Sequence, residues 1–194
     1  MTPPYREHVA RIVLWTIVGL FALGEYVMRF RSRRRRGRRV EAWSIFVVVG
    51  SVAAGVIGAV ALADSRIGEI TAGSWPLFVL GLVLLAAGLV VRQWAIATLG
   101  RFFTIDVQIH ADQRVVDRGP YRWVRHPSYT GLVLFFVGLG LALTNWCSLL
   151  VLAVVPTAGL LVRIRSEEHA LLAAFGDDYR RYAAARARLF PGVW

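Results

Sequence analysis

Long uninterrupted apolar runs constrain the fold of this chain more than any other feature. Three runs, at 9–30, 42–63 and 75–99, are each long enough to cross a bilayer, which takes about 20 residues. Two shorter runs, at 128–143 and 146–162, are separated only by Thr144 and Asn145. Because lipid cannot hydrogen-bond free backbone groups, spanning segments must be helical. We therefore predict an all-α integral membrane protein with five transmembrane helices, of which the last two form a helical hairpin.

The distribution of arginine predicts the orientation of this bundle. All 23 basic residues are Arg, and the formal net charge is +11. Eight arginines lie at 29–39, five at 101–125 and six at 163–188, whereas the other two loops hold only Arg66. Alternate loops are thus basic, which is the positive-inside pattern. We expect the N-terminus outside and the C-terminus in the cytoplasm, in the plasma membrane of a prokaryote, with the run at 31–39 acting as a topology signal.

Composition and spacing exclude several classes of function. The basic residues lie between apolar runs and not on a soluble face, so nucleic-acid binding is not expected. The single cysteine, Cys147, allows no intramolecular disulfide, and no Cys/His cluster has the spacing of a structural zinc site. Gly138-Leu139-Gly140 lies inside an apolar run and lacks the third glycine of a dinucleotide-binding loop. We expect one membrane domain, 1–194, that uses no metal.

The first two runs carry features that indicate packing. Ser51, Gly55 and Ala59 repeat every four residues, and small residues at this spacing are typical of close helix contact in membranes. Glu25 lies near the cytoplasmic end of the first run, and Arg29 follows one turn later, where it could form a salt bridge with Glu25.

The segment between the third and fourth runs is too long for a tight connection. Alternating apolar residues at 105–109 indicate a short extended piece, and Gly119-Pro120 is a turn signal. Pro127 suits the first turn of the fourth helix, with His126 near its cap. The free N–H groups at such a helix start form an anion site. Alternatively, the aromatic residues of this segment only anchor it at the membrane interface.

The segment at 163–191 is predicted to continue the fifth run as an amphipathic helix. Arg163 and Glu167 lie one turn apart and share a face, whereas Glu168 points about 100° away. The pair is either a surface salt bridge or part of a site. An apolar stripe that would face the protein or the membrane consists of Leu171, Leu172, Phe175, Tyr179 and Tyr182.

Several ordered motifs resemble the isoprenylcysteine carboxyl methyltransferase family. They are Phe103-Thr104-x-x-Val107-Gln108, Arg125-His126-Pro127-Ser128-Tyr129-x-Gly131, Arg163-x-x-x-Glu167-Glu168, Phe175-Gly176, Tyr179 and Tyr182. The resemblance covers residues 99–191, which it identifies as the methyltransferase catalytic portion. It implies S-adenosylmethionine as the methyl donor and a lipid-tailed acid or prenylcysteine as the acceptor, taken from the membrane.

The same resemblance implies roles for individual residues. Arg163 takes the position that binds the carboxylate of the acceptor and is the expected catalytic residue. The residues implied in binding the donor are Gln108, Gln113, Arg114, Val115, Val116, Tyr121, His126, Pro127, Ser128, Tyr129 and Glu167.

The residue types suit this chemistry. A terminal carboxylate has a pKa near 3.5 and is ionised at pH 7, so its methylation needs no general base. Arg binds such a group through two parallel hydrogen bonds and keeps its charge when buried.

Two alternative functions remain open from the sequence. A phospholipid N-methyltransferase would need a base, for which His126 and Glu167 are the candidates, and a non-enzymatic membrane scaffold or small transporter would carry polar residues at mid-span.

Overall fold

The computed structural model of the chain describes residues 3–33, 38–41, 43–104, 107–109 and 114–192. Six helices are described: α1 (His8–Arg33), α2 (Trp43–Ser65), α3 (Ser74–Leu99), α4 (Pro127–Ala142), α5 (Trp146–Phe175) and α6 (Asp177–Ala184). Short 3-10 turns lie at Pro4–Arg6, Gly100–Phe102 and Gly119–Arg122. Two short strands, β1 (Arg38–Glu41) and β2 (Val107–Ile109), form an antiparallel pair.

The prediction of a helical, multi-pass membrane protein is confirmed, with one correction of detail to the all-helical fold. Strand β2 is the extended piece that the alternation at 105–109 indicated, so the loops add a small sheet to the helical bundle. Four described helices, α1, α2, α3 and α5, are long and apolar enough to cross a membrane. Helix α4 has 16 residues, which at 1.5 Å per residue gives about 24 Å, less than the hydrocarbon thickness of about 30 Å.

Helix α4 packs closely on α3 because glycine removes side chains from both surfaces. A Cβ on Gly88 would lie 2.5 Å from the Gly131 carbonyl oxygen, and a Cβ on Gly138 would lie 2.6 Å from the Leu85 nitrogen. Contacts this short leave no room for a methyl group. Backbone-to-backbone approach of this kind is the usual way in which membrane helices gain van der Waals contact. The position of α4, and of the residues at its start, therefore depends on these glycines.

Helices α2 and α5 meet through the small residues predicted from the sequence. A Cβ on Gly159 would overlap with Ser51 Oγ, and a Cβ on Gly55 would lie 3.1 Å from the Pro156 ring. Ala59 is fully buried, and its carbonyl accepts a hydrogen bond from Ser148 Oγ at 2.6 Å. The every-four spacing in α2 was thus correctly interpreted as a packing face.

The connection between α4 and α5 makes a helical hairpin. Only three residues separate the two helices, and Thr144 adopts a positive φ of 45° in the turn. The Asn145 side chain caps α5 by accepting from Ser148 N at 2.9 Å, and it donates to the Ile67 carbonyl at 2.8 Å. Asn145 thereby joins the hairpin turn to the loop between α2 and α3.

The chain after α6 returns to the start of α4. We name residues 185–190 the C-terminal strap. The backbone N–H groups of Arg125 and His126 donate to the carbonyls of Ala187 and Arg188 at 2.9 and 3.0 Å. Thr130 Oγ1 donates to the Leu189 carbonyl at 2.6 Å. The strap therefore fixes the segment that leads into α4.

Candidate active site

A cavity of about 580 Å³ is lined by residues of all six described helices and of the segment before α4. Its apolar lining, named the apolar wall, includes Phe21 and Ala22 of α1, Ile45, Val48, Val49, Val52 and Ala53 of α2, and Leu132 and Phe136 of α4. Its polar and aromatic lining, named the polar wall, includes the side chains of Glu25, Arg92, Arg114, Tyr121, Arg125, His126, Ser128, Tyr129, Arg163, Glu167, Tyr179 and Tyr182. Such a cavity suits a ligand that has one polar and one apolar end.

Most of the residues expected to bind the donor or the acceptor line this one cavity. Arg114, Val115, Val116, Tyr121, His126, Ser128, Tyr129, Arg163 and Glu167 all do so. Pro127 does not; it is fully buried as the first residue of α4, directly behind the His126 cap. Gln108 lies in β2, opposite Arg39, but its side chain is outside the described part of the structure, as is all of Gln113.

Arg163 is held by neighbours on two other helices. Its side chain is 2% exposed, its Nη1 donates to Ser44 Oγ of α2 at 2.7 Å, and its Nε donates to the Tyr129 hydroxyl at 3.4 Å. Tyr129 in turn donates to Glu167 Oε2 at 2.8 Å. The hydroxyl thus lies between Arg163 and Glu167, which share a face of α5 as predicted. The surface-salt-bridge alternative does not describe Arg163, because that side chain is buried.

A second arginine on the cavity wall was missed by the sequence analysis. Arg92 of α3 is 6% exposed and makes a two-pronged ion pair with Glu25 of α1, with Nε–Oε1 and Nη2–Oε2 distances of 2.5 and 2.7 Å. Its Nη1 donates to Ser128 Oγ at 2.7 Å. The sequence placed Arg29 near Glu25; the Arg29 side chain lies outside the described residues. A lone charge within an apolar run was the signal that should have marked Arg92.

Glu168, Arg125 and Ser44 were also missed. Glu168 is buried and contacts both Arg125 and His126. The prediction that Glu168 points away from the helix face shared by Arg163 and Glu167 is correct. It could not show that the Glu168 side chain meets residues more than 40 positions away in the sequence, because that contact depends on how α5 packs against the start of α4.

Buried tyrosines outside the spans give the polar wall neutral hydrogen-bonding groups. Burial raises the pKa of Tyr182 to about 12, and its hydroxyl donates to the Tyr121 carbonyl at 2.8 Å. Burial, with a smaller contribution from Glu167, raises the pKa of Tyr121 well above its ordinary value. These hydroxyls therefore remain protonated at neutral pH, where they can orient a ligand but cannot accept its proton as a phenolate.

Metal ligation has no support in the described residues. No group of three or more His, Cys, Asp and Glu side chains in that part of the chain is arranged to hold a metal ion.

These features define a class: a multi-pass helical membrane protein whose internal cavity joins a buried, arginine-containing polar wall to an apolar wall. Residues 79–173 match the model of the isoprenylcysteine carboxyl methyltransferase (ICMT) family. The resemblance indicated by the motifs is therefore confirmed.

Individual relatives support the same assignment. The chain is 37% identical over 115 residues to protein-S-isoprenylcysteine O-methyltransferase A of Arabidopsis thaliana, covering 58% of each chain. It is 35% identical over 106 residues to the Saccharomyces cerevisiae protein-S-isoprenylcysteine O-methyltransferase, covering 54% of this chain and 44% of the relative. The chain thus spans about half of the length of these curated relatives.

A solved structure extends the similarity to the fold. The structure of the eukaryotic intramembrane Ras methyltransferase ICMT aligns with a TM-score of 0.59 and 29% identity. The alignment covers 76% of this chain and 52% of the solved one.

The Glu25–Arg92 pair predicts an effect on stability. Glu25→Ala should lower the free energy of unfolding by about 3–5 kcal/mol, because it leaves the buried Arg92 cation without its carboxylate. The measurement is unfolding of the purified protein in mixed micelles of increasing SDS content. Asp178→Asn is the control, since it removes a solvent-exposed ion pair with Arg181 that should contribute little. If both variants unfolded at the same SDS content, the Glu25–Arg92 pair would contribute no more to stability than a surface pair.

Proposed function

We propose that the chain is an S-adenosylmethionine-dependent methyltransferase that methylates the carboxylate of a prenylated cysteine or a similar lipid-tailed acid. One observation carries the proposal: a buried arginine, Arg163, lines a cavity that also has an apolar wall, formed mainly by helices α1 and α2. The names of the relatives, which include protein-S-isoprenylcysteine O-methyltransferases, support the same reaction.

The polar wall fits the proposed donor. Tyr121 and Tyr182 offer aromatic surface for a nucleobase, and Glu167 offers a carboxylate for a hydroxyl or ammonium group. The start of α4, behind the His126 cap, is suited to the carboxylate of the donor. A volume of about 580 Å³ lies within the range of roughly 300–1,000 Å³ that small-molecule sites occupy. S-adenosylmethionine would supply an activated methyl group that carries its own leaving group.

The residues of the chain would then bind and orient the acceptor. Arg163 would hold the acceptor carboxylate, and its hydrogen bonds to Ser44 and Tyr129 limit the directions in which the guanidinium can point. Orientation of two reactants alone can lower a barrier by about 7–11 kcal/mol. The apolar wall formed by α1 and α2 would receive the lipid tail and keep water out. The tail would enter sideways from the bilayer.

The alternatives have less support. An amine acceptor must first lose a proton, whereas the buried Arg163 cation suits an acid acceptor that is already ionised. A transporter has less support because many of the polar side chains that line the cavity come from the loop before α4 and from the start of that helix, and not from mid-span.

Donor binding is the first test. Wild-type protein in detergent should bind S-adenosylmethionine in a calorimetric titration, and Glu167→Ala and Tyr129→Phe should each weaken binding by about tenfold, the effect of losing one hydrogen bond worth roughly 1.4 kcal/mol. Asp178→Asn, an exposed substitution on α6, should bind like wild type. Absence of binding to folded wild-type protein would refute the proposed donor.

Arg163 has a different expected effect, because it is assigned to the acceptor. Arg163→Ala should lower turnover of a prenylcysteine substrate by at least about 100-fold, the loss of a charge-assisted pair, and should change donor affinity less than threefold. Arg165→Ala is the matched control, since Arg165 is exposed two residues further along α5. A fully active Arg163→Ala enzyme would contradict the assignment, as would Arg165→Ala with the same loss.

We further propose five crossings, with α4 as the fifth spanning helix, the N-terminus outside and the cavity open toward the cytoplasm. Support comes from the alternation of basic loops and from the short turn between α4 and α5. In a Cys147→Ser background, Asp64→Cys should react with a membrane-impermeant maleimide in intact cells. Asp178→Cys should react only after permeabilisation. The opposite labelling pattern would invert the proposed orientation.

A further inference from the structure

A buried carboxylate behind the polar wall joins three separate segments of the chain. Glu168 of α5 is 8% exposed, and its oxygens lie 2.8 Å from Arg125 Nη1, 3.1 Å from Arg188 Nε and 3.3 Å from His126 Nε2. Arg125 and His126 lead into α4, and Arg188 belongs to the C-terminal strap. Glu168 itself does not line the cavity, whereas His126 does.

The chemistry of this cluster requires a proton on the Nε2 atom of His126. Two guanidinium groups within hydrogen-bonding distance identify Glu168 as an ionised carboxylate, which can only accept hydrogen bonds. The Nε2 atom of His126 must therefore be the donor to Glu168. The other ring nitrogen, Nδ1, lies on the side of Glu167, 3.9 Å from its Oε2.

The ring of His126 has further contacts that this hydrogen bond would preserve. The imidazole stacks on Tyr129, with ring centroids 5.7 Å apart and an interplanar angle of 20°. Tyr129 donates to Glu167, and both residues line the cavity. A rotation of the imidazole would disturb this stack and change which nitrogen faces Glu167. The backbone of His126 is already tied to the strap through its N–H, so the side chain is the part that Glu168 controls.

We infer that Glu168 is a positioning residue: it accepts Nε2–H of His126 and thereby directs Nδ1 toward Glu167 and the polar end of the donor. The inference rests on the proposed function only in assigning His126 to the donor site. Arg125 and Arg188 keep Glu168 charged and in place, and Arg188 makes the strap part of the arrangement. Glu168 acts through His126 and does not touch the donor.

Nitrogen NMR of the wild-type protein tests the first step directly. With ¹⁵N-histidine labelling in detergent, and with the His126 signals identified by their loss in His126→Gln, Nε2 should show the chemical shift of a protonated ring nitrogen. Finding Nε2 unprotonated in wild-type protein would overturn the inference, whatever the variants or the enzyme assay show.

Variants then test the consequence for donor binding. Glu168→Ala should yield a mixture of protonation at both ring nitrogens and raise the dissociation constant for S-adenosylmethionine at least fivefold. Glu168→Gln, which retains an oxygen that can accept from Nε2–H, should restore the wild-type nitrogen signature and bring the dissociation constant to within about twofold of wild type. Asp178→Asn, another acid near the same end of the fold but fully outside this cluster, should match wild type in both measurements.

The outcomes separate this inference from the proposed function. Wild-type donor binding with no change in nitrogen signature or affinity for folded Glu168→Ala would overturn the positioning role and leave the proposed function intact. The inference would also be overturned if Glu168→Gln restored neither the nitrogen signature nor the dissociation constant. That result would show that the ion pairs of Glu168 with arginine, and not its hydrogen bond to His126, maintain donor binding. Wild-type protein that binds no donor would refute the proposed function, while the nitrogen signature would still decide the contact between Glu168 and His126.

Discussion

Charged groups inside an apolar bundle must find partners, and the structure depends on how this constraint is met. An unpaired ion costs several kcal/mol in such surroundings, so each buried charge fixes the elements that supply its partner. Arg92 joins α3 to α1 through Glu25 and to α4 through Ser128. Arg163 joins α5 to α2 through Ser44. The polar contacts thus gather helices from across the bundle around one cavity.

Close packing of the helices fixes the distances and directions of those polar contacts. Glycines bring the α3 and α4 backbones together, so the first turn of α4 is held against the part of α3 that carries Arg92. The strap completes this arrangement from the other side through its backbone bonds to Arg125 and His126. An apolar bundle alone would not specify the rotation of α4, whereas glycine contacts and paired charges together do. Packing and paired charges of this kind hold the side chains of a site in fixed directions.

The elements that the sequence predicted well are those governed by local physics. The long apolar runs became helices because a bilayer allows no other spanning backbone, and the start of α4 at Pro127 followed from the missing N–H of proline. The packing face of α2 was likewise predicted from the spacing of Ser51, Gly55 and Ala59. By contrast, hydropathy does not decide whether α4 crosses the membrane, because α4 is shorter than the other apolar helices.

The sequence by itself determined the helical membrane class of the fold, the resemblance of residues 79–173 to the isoprenylcysteine carboxyl methyltransferase family and nine of the side chains that line the cavity. Periodicity, hydropathy and motif spacing predict these properties because the properties depend on residues that are neighbours along the chain. Only the tertiary structure decided that Glu25 pairs with Arg92, that Ser44 supports Arg163 and that Glu168 meets His126. Those contacts join residues 42 to 119 positions apart, and their energies arise only when packing of whole helices removes the paired charges from water and lipid.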